Sequence, residues 1–265
     1  MPDTYTHYTF GQKVLSNLDK PYQEIVLENI DIFNVGLQGP DILFYYKPLV
    51  MNWVNQVGYR MHNKSAAPFF TRAKSVIKIS EDKDLAKAYI AGFICHFYLD
   101  SECHPYIHYL TDNFETLSHS EIETEFDRRL LIEDGHDPIN YRVAEHLTID
   151  YKSGSQIAKF FPERRITSKK IIKSVNDMKR YSILLEEMSQ IKIVKDSHSK
   201  RRKGLLKFVK GMIMRPKPIR KYQDSTTILK DLYVRAILPA AELIDEYFDN
   251  IDKRVVNDRF DTDFN

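Results

Sequence analysis

The stretch Ala88 to His108, AYIAGFICHFYLDSECHPYIH, constrains the fold more than any other part of the chain. From Ala88 to Leu99 only His96 interrupts an apolar run, so a helix made from it would be buried on nearly every side. The run falls short of the roughly 20 apolar residues that span a bilayer. Within it His96, Asp100 and His104 stand at i, i+4 and i+8. With 3.6 residues per turn, each step of four advances by only about 40°, which lines the three side chains up as one narrow stripe. A buried carboxylate flanked by two imidazoles costs several kcal/mol unless its charge is compensated, and a divalent metal compensates it. The stripe climbs about 12 Å, so His96 and Asp100 can share one ion while His104 reaches towards a second. A plainer reading competes: Asp100 ends the helix near Ser101 and Pro105, and His96 is a hydrogen-bonded core histidine.

Hydrophobic residues make up 43% of the 265, enough for a sizeable core. Glycine is sparse, and no period-two alternation is bounded by Asn-Gly or Asp-Gly turns, which argues against an all-β fold. The expected architecture is a single all-α domain over residues 1–265, with a metal-site half to about residue 135. Cys95 and Cys103 would lie about 12 Å apart along one helix, too far for a disulfide, and are expected as free thiols in a reducing compartment. The start MPDTYTHYTFGQKVL has neither a basic n-region nor an apolar h-region, so the expected location is cytoplasmic, without a signal peptide or transmembrane segment.

Apolar spacing predicts helices over Phe10–Asp19 and Tyr22–Phe33, with Pro21 in a first turn. The cluster GLQGPD then presents Asp41, for which a plain N-cap is the simple account. Lys47–Gly58 reads as a loop with a short helical piece carrying Trp53, and His62 sits near a helix start ahead of Pro68. Further on, LSHSEIETEFDRRLL offers Ser118 as an N-cap with Glu121 three residues later, a capping box. His119 and Glu123 follow at i, i+4, a spacing that an exposed ion pair explains equally well. The helical pattern continues over Pro138–Thr148, Ile157–Phe161, Ser168–Ile191 and Ser225–Ile251, with Pro239 expected to kink or split the last helix.

Lys195 to Lys221 carries eleven Lys or Arg against one acidic residue, a net +10, so the rest of the chain sums to −8. Leu205, Phe208, Met212 and Ile213 are interspersed. Such a stretch can lie on an anionic lipid surface, with Lys200, Arg201, Arg202 and Lys203 as the contact cluster, or track a nucleic acid. It can also be a basic loop that binds nothing.

Taken in order, His7, Asp41, His62, His96, Asp100, His104, His119 and Glu123 give the pattern His, Asp, His, HxxxD, His, HxxxE. With THYTF around His7, GPD at Asp41, CHFYLDSECHPY and SHSEIETEFDRRLL, this half of the chain resembles the bacterial zinc-dependent phospholipase C family, related to the P1-type nucleases. The resemblance runs to about Leu131 and implies an all-helical fold holding two or three zinc ions. It implies His62, His96 and Asp100 on one zinc, His104, His119 and Glu123 on a second, and His7 with the other oxygen of Asp100 on a third. Asp41 would be the general base or the group orienting the attacking water. The implied activity is a phosphodiesterase of phospholipase C type that uses a zinc-activated water on a phospholipid or other phosphate ester, with no obligate protein partner. A P1-type nuclease or small phosphoester hydrolase is the enzymatic alternative, and a non-catalytic, zinc-stabilised protein binding membrane surfaces is the rival from another class.

Three departures bear on these expectations. Secreted members supply an N-terminal tryptophan to the third zinc, whereas this chain starts Met1-Pro2, so that site is expected to use the Met1 or Pro2 terminus, to be weaker, or to be empty. His108 lies close enough to contest the role of His104. The second half shows no sign of the β-sandwich that some toxins append. His136, His146 and His198 have no place in the scheme and are expected at the surface.

Overall fold

A computed structural model describes residues 4–163, 165–190 and 211–265. Its helices are α1 (Thr4–Leu15), α2 (Lys20–Glu28), α3 (Ile30–Gly36), α4 (Trp53–His62), α5 (Ala67–Ile79), α6 (Lys83–Asn113), α7 (His119–Glu133), α8 (Tyr151–Phe160), α9 (Ser168–Gln190) and α10 (Gln223–Asp249). Short 3-10 helices cover Gly39–Tyr45, Arg220–Tyr222 and Asp258–Asp261. The described residues contain no strand, as the all-α expectation requires. Nor is any helix among them long and apolar enough to cross a membrane.

The organising stretch becomes the centre of α6, which lies between α3 and α10 with α1, α2 and α5 around it. From Ala88 to Leu99 every side chain except Tyr98 is buried. The plainer reading of Asp100 as a helix end does not hold, because α6 continues through Pro105 to Asn113. A proline inside a helix costs about 3 kcal/mol. Cys103, His104, Ile107 and Leu110, all buried on one face, offset it. Both cysteines are free and buried. Pro239 likewise lies inside an unbroken α10.

Two glycines let α3 and α6 meet backbone to backbone. A Cβ on Gly36 would lie 2.3 Å from the Tyr89 carbonyl oxygen, and one on Gly92 would lie 2.3 Å from that of Phe33. Gly to Ala inside a helix ordinarily stabilises by up to about 1 kcal/mol. Here the sign should reverse, because neither backbone can yield. We expect Gly92→Ala to destabilise the protein by about 3 kcal/mol, in the range of overpacked cores. The urea midpoint measures this, and an unchanged or raised midpoint would contradict the contact.

Several local expectations are corrected. The predicted Tyr22–Phe33 helix is broken at Asn29, whose φ of −125° lies outside the helical region. His62 is the last residue of α4 and lies just ahead of α5, whose first turn Pro68 occupies as expected; the loop expected over Lys47–Gly58 is in part helix, because α4 begins at Trp53 behind an Asn52/Asn55 capping box. Pro138–Thr148 forms turns and no helix: Asp137 accepts from the Ile139 amide at 2.9 Å, and Glu186 takes the Val143 amide at 3.0 Å. The Ser118/Glu121 capping box is replaced by a relay, in which the Ser118 amide donates to the Tyr222 hydroxyl (3.3 Å) and that hydroxyl donates to Glu121. His136 is exposed, but His146 is only partly so and stacks on Tyr8 at 4.1 Å. Burial, helped by Lys179, pushes the His146 pKa down to about 3. His198 lies outside the described residues.

Candidate metal centre

Five elements converge on Asp100. α1 brings His7, the 3-10 turn brings Asp41, the end of α4 brings His62, α6 brings His96, Asp100 and His104, and α7 brings His119 and Glu123. Asp100 is only 3% exposed. Its Oδ1 faces His7 Nε2 at 3.2 Å and His104 Nε2 at 3.8 Å. Its Oδ2 faces His96 Nε2 at 3.0 Å and His62 Nε2 at 3.9 Å. Beside it, Glu123 Oε1 lies 2.8 Å from His119 Nε2 and 3.6 Å from His104 Nε2. Asp41 Oδ1 lies 2.8 Å from His62 Nε2.

Three groups have ligand atoms close enough to share an ion: His7, His96 and Asp100; Asp41, His62 and His96; and His104, His119 and Glu123. All eight side chains named from the sequence are thus brought together. The grouping adds to the expectation at one point, because Asp41 reaches ligand distance of the pair His62 and His96 and does not stand back as a base alone. His108 belongs to none of the three groups, although its ring centre is 5.4 Å from that of His119.

The fit to zinc rests on how the rings are held. His62 Nδ1 donates to the Gly58 carbonyl at 3.0 Å, His96 Nδ1 to that of Leu37 at 3.2 Å, and His104 Nδ1 to that of Phe264 at 2.6 Å. A carbonyl can only accept, so each Nδ1 carries the proton and each Nε2 turns to the carboxylates. This outer-shell arrangement is the one that orients metal-binding imidazoles. His96 Nε2 is buried and, with the ring proton on Nδ1, faces Asp100 Oδ2 at 3.0 Å without a hydrogen bond between them, a pair of facing lone pairs that a shared metal would satisfy.

The turn that carries Asp41 also sets His96. Gly39 has φ +49°, and a Cβ there would lie 2.2 Å from His96 Cδ2, so both the backbone and the ring require glycine.

Burial alone would raise the Asp100 pKa, but His104, His96 and His7 hold the carboxyl well below the usual range. Burial likewise opposes ionisation of Asp41, and His62 overrides it. For His104 burial disfavours the charged ring, yet Asp100 and Glu123 push its pKa up to about 10; Asp41 and Asp100 raise His62 in the same way. Zinc must therefore displace protons at neutral pH. Apparent zinc affinity should climb about tenfold per pH unit for each proton displaced, throughout the range below the folded pKa values, levelling for His104 near pH 10. The zinc-free protein should behave oppositely. Its stabilisation from these raised imidazoles is complete below the unfolded value of about 6.5 and is lost as pH rises through the folded values. Calorimetric zinc titration at several pH values checks the first trend, and an affinity independent of pH would contradict it.

One supporting residue is absent from the sequence pattern. Asp127 is fully buried and accepts from the Thr6 amide at 2.8 Å and the Tyr5 amide at 3.3 Å, fixing the first turn of α1 and thereby His7. Its signal was available: Asp127 continues the stripe of His119 and Glu123 by one more step of four. Of the basic stretch, Lys200, Arg201, Arg202 and Lys203, with Leu205 and Phe208, lie outside the described residues, as do Met1 and Pro2. Ile213 is not free to enter a lipid surface, because it is buried where the Gly211 carbonyl accepts from Thr124 on α7.

No curated protein and no solved structure matches the chain. A family model described as zinc dependent phospholipase C matches residues 6–182, which takes in every one of the eight converging side chains. With that span covering well over half its length, the chain belongs to the zinc-dependent phospholipase C family and is a phosphoric ester hydrolase.

Proposed function

We propose that this chain is a phospholipase C-type phosphodiesterase that hydrolyses the phosphate ester of a phospholipid. The observation that carries the reading is Asp100, whose two oxygens each face a different set of imidazoles in a buried centre. His62, His96, Asp100 and Asp41 would hold one zinc, His104, His119 and Glu123 a second, and His7 with Asp100 a third. Bound there, zinc supplies Lewis acidity towards phosphoryl oxygens and acidifies water. Asp41 has a further part. Held ionised beside His62, it would take the proton from the attacking water. The backbone carbonyls of Leu37, Gly58 and Phe264 keep the imidazoles turned inward while this happens.

The reading extends to a cytoplasmic enzyme drawn to the inner leaflet by Lys200, Arg201, Arg202 and Lys203, each worth about 1 kcal/mol near an anionic surface. Elemental analysis should find at least two zinc ions per chain. Phosphatidylcholine or phosphatidylethanolamine vesicles should be hydrolysed faster when anionic lipid is mixed in. Degradation of single-stranded DNA or RNA with every lipid untouched would replace the lipid substrate by a nucleic acid. Less than one transition metal per chain, with no thermal shift on adding zinc, would overturn the zinc reading altogether.

A further inference from the structure

The segment from Asn257 to Asn265 lies beyond the residues that match the family, yet it reaches both halves of the candidate centre. Three contacts hold it in place. The Arg259 guanidinium bonds Ser101 Oγ and Glu102 Oε1, both at 2.7 Å, immediately after Asp100 on α6, and lies 4.8 Å over the Tyr98 ring. Next, the Thr262 carbonyl accepts from the Ala66 amide at 3.0 Å, at the entrance to α5. Finally, the His62 carbonyl at the end of α4 accepts from the Phe264 amide at 3.3 Å and from Asn265 Nδ2 at 2.8 Å.

Between these anchors sits Phe264, 1% exposed. Its ring centre is 5.5 Å from that of His62 and 6.0 Å from that of His96, while its carbonyl accepts the His104 Nδ1 proton at 2.6 Å. One residue therefore touches a ring from the Asp41, His62, His96 group and a ring from the His104, His119, Glu123 group.

We infer that residues 257–265 form a positioning strap for the zinc centre, in which the Phe264 carbonyl fixes the His104 ring and the Phe264 amide and ring fix His62 and the back of His96. The strap makes the two ligand groups share one support, so loosening it weakens both. This rests on the zinc reading given above. Phe264 is a positioning residue that acts through the three imidazoles.

The test compares chelator-treated wild type with Phe264→Ala, Phe264→Leu, Arg259→Ala and a chain ending at Thr262, each titrated with zinc well below its melting temperature. Loss of an outer-shell partner typically weakens metal binding about 10- to 100-fold. The chain ending at Thr262 should show a loss in that range at both classes of site, Phe264→Ala a smaller one, and Phe264→Leu most of the wild-type affinity. Arg259→Ala, which removes a partly buried anchor outside the ligand groups, should weaken both classes together without altering the circular dichroism. If the shortened chain does not fold, the Arg259→Ala and Phe264→Ala titrations decide. Variants that melt earlier without zinc yet bind zinc within twofold of wild type overturn the strap and leave the zinc reading intact. Wild type that binds no zinc overturns that reading, and the strap with it.

Discussion

Asp100→Ala is expected to leave a protein that binds no zinc at the His7, His96 and Asp100 group, holds less at the neighbouring groups, and turns over at the background of zinc-free enzyme. Both oxygens of the carboxylate are in use, so no neighbouring side chain can substitute for it. A second effect appears without metal. Four imidazole nitrogens lie within 4.0 Å of Asp100 oxygens, and removing the one carboxylate they share leaves buried rings without their counter-charge. Losing one partner of a buried ion pair typically costs about 3–5 kcal/mol, and deprotonation of the rings brings the loss towards the lower end. The melting temperature of chelator-treated protein should therefore fall as well. Full zinc stoichiometry in Asp100→Ala would refute the centre as described.

Asp41→Asn separates chemistry from metal binding. Asparagine keeps the volume and one ligating oxygen, so the fold and the zinc at His104, His119 and Glu123 should survive. Turnover should nevertheless fall by about 10²- to 10⁴-fold, the usual contribution of a general acid or base. The same change removes the main charge that raises His62, so the His62 ring should give up its proton at lower pH. Comparing zinc content with turnover decides between roles. If zinc drops by one ion per chain while residual turnover follows it, Asp41 acts as a ligand alone and another group takes the proton.

What the sequence made readable follows helix geometry. His96, Asp100 and His104 could be placed together because a step of four on a buried helix is a local rule, and α6 obeys it across Pro105. The pair His119 and Glu123 was readable in the same way. The parts that were not readable depend on contacts far apart in the chain. Nothing near Phe264 announces that its carbonyl meets His104, and nothing near Ser118 announces that Tyr222 will stand between it and Glu121. The helix Trp53–His62 was read only as a short piece in a loop because its start is set by the side chains of Asn52 and Asn55, which bond to each other's backbone amides in a capping box that lacks the usual Ser or Thr with Glu. Pro138–Thr148 was misread as helical because the carboxylates that take its amides, Asp137 and Glu186, include one from α9.

The glycine contact between α3 and α6 has a bearing on chemistry as well as on stability. Gly92 stands one step of four before His96 on the same helix face, and Gly36 immediately precedes Leu37, whose carbonyl orients the His96 ring, and then the turn that delivers Asp41. The distance between Asp41 and the α6 ligands is thus gauged from a main-chain contact, one that no rotamer change can adjust. Side chains elsewhere in the core can drift and repack without moving that datum. A methyl group added at Gly92 would shift it, and the centre would be detuned by a residue that touches neither metal nor substrate.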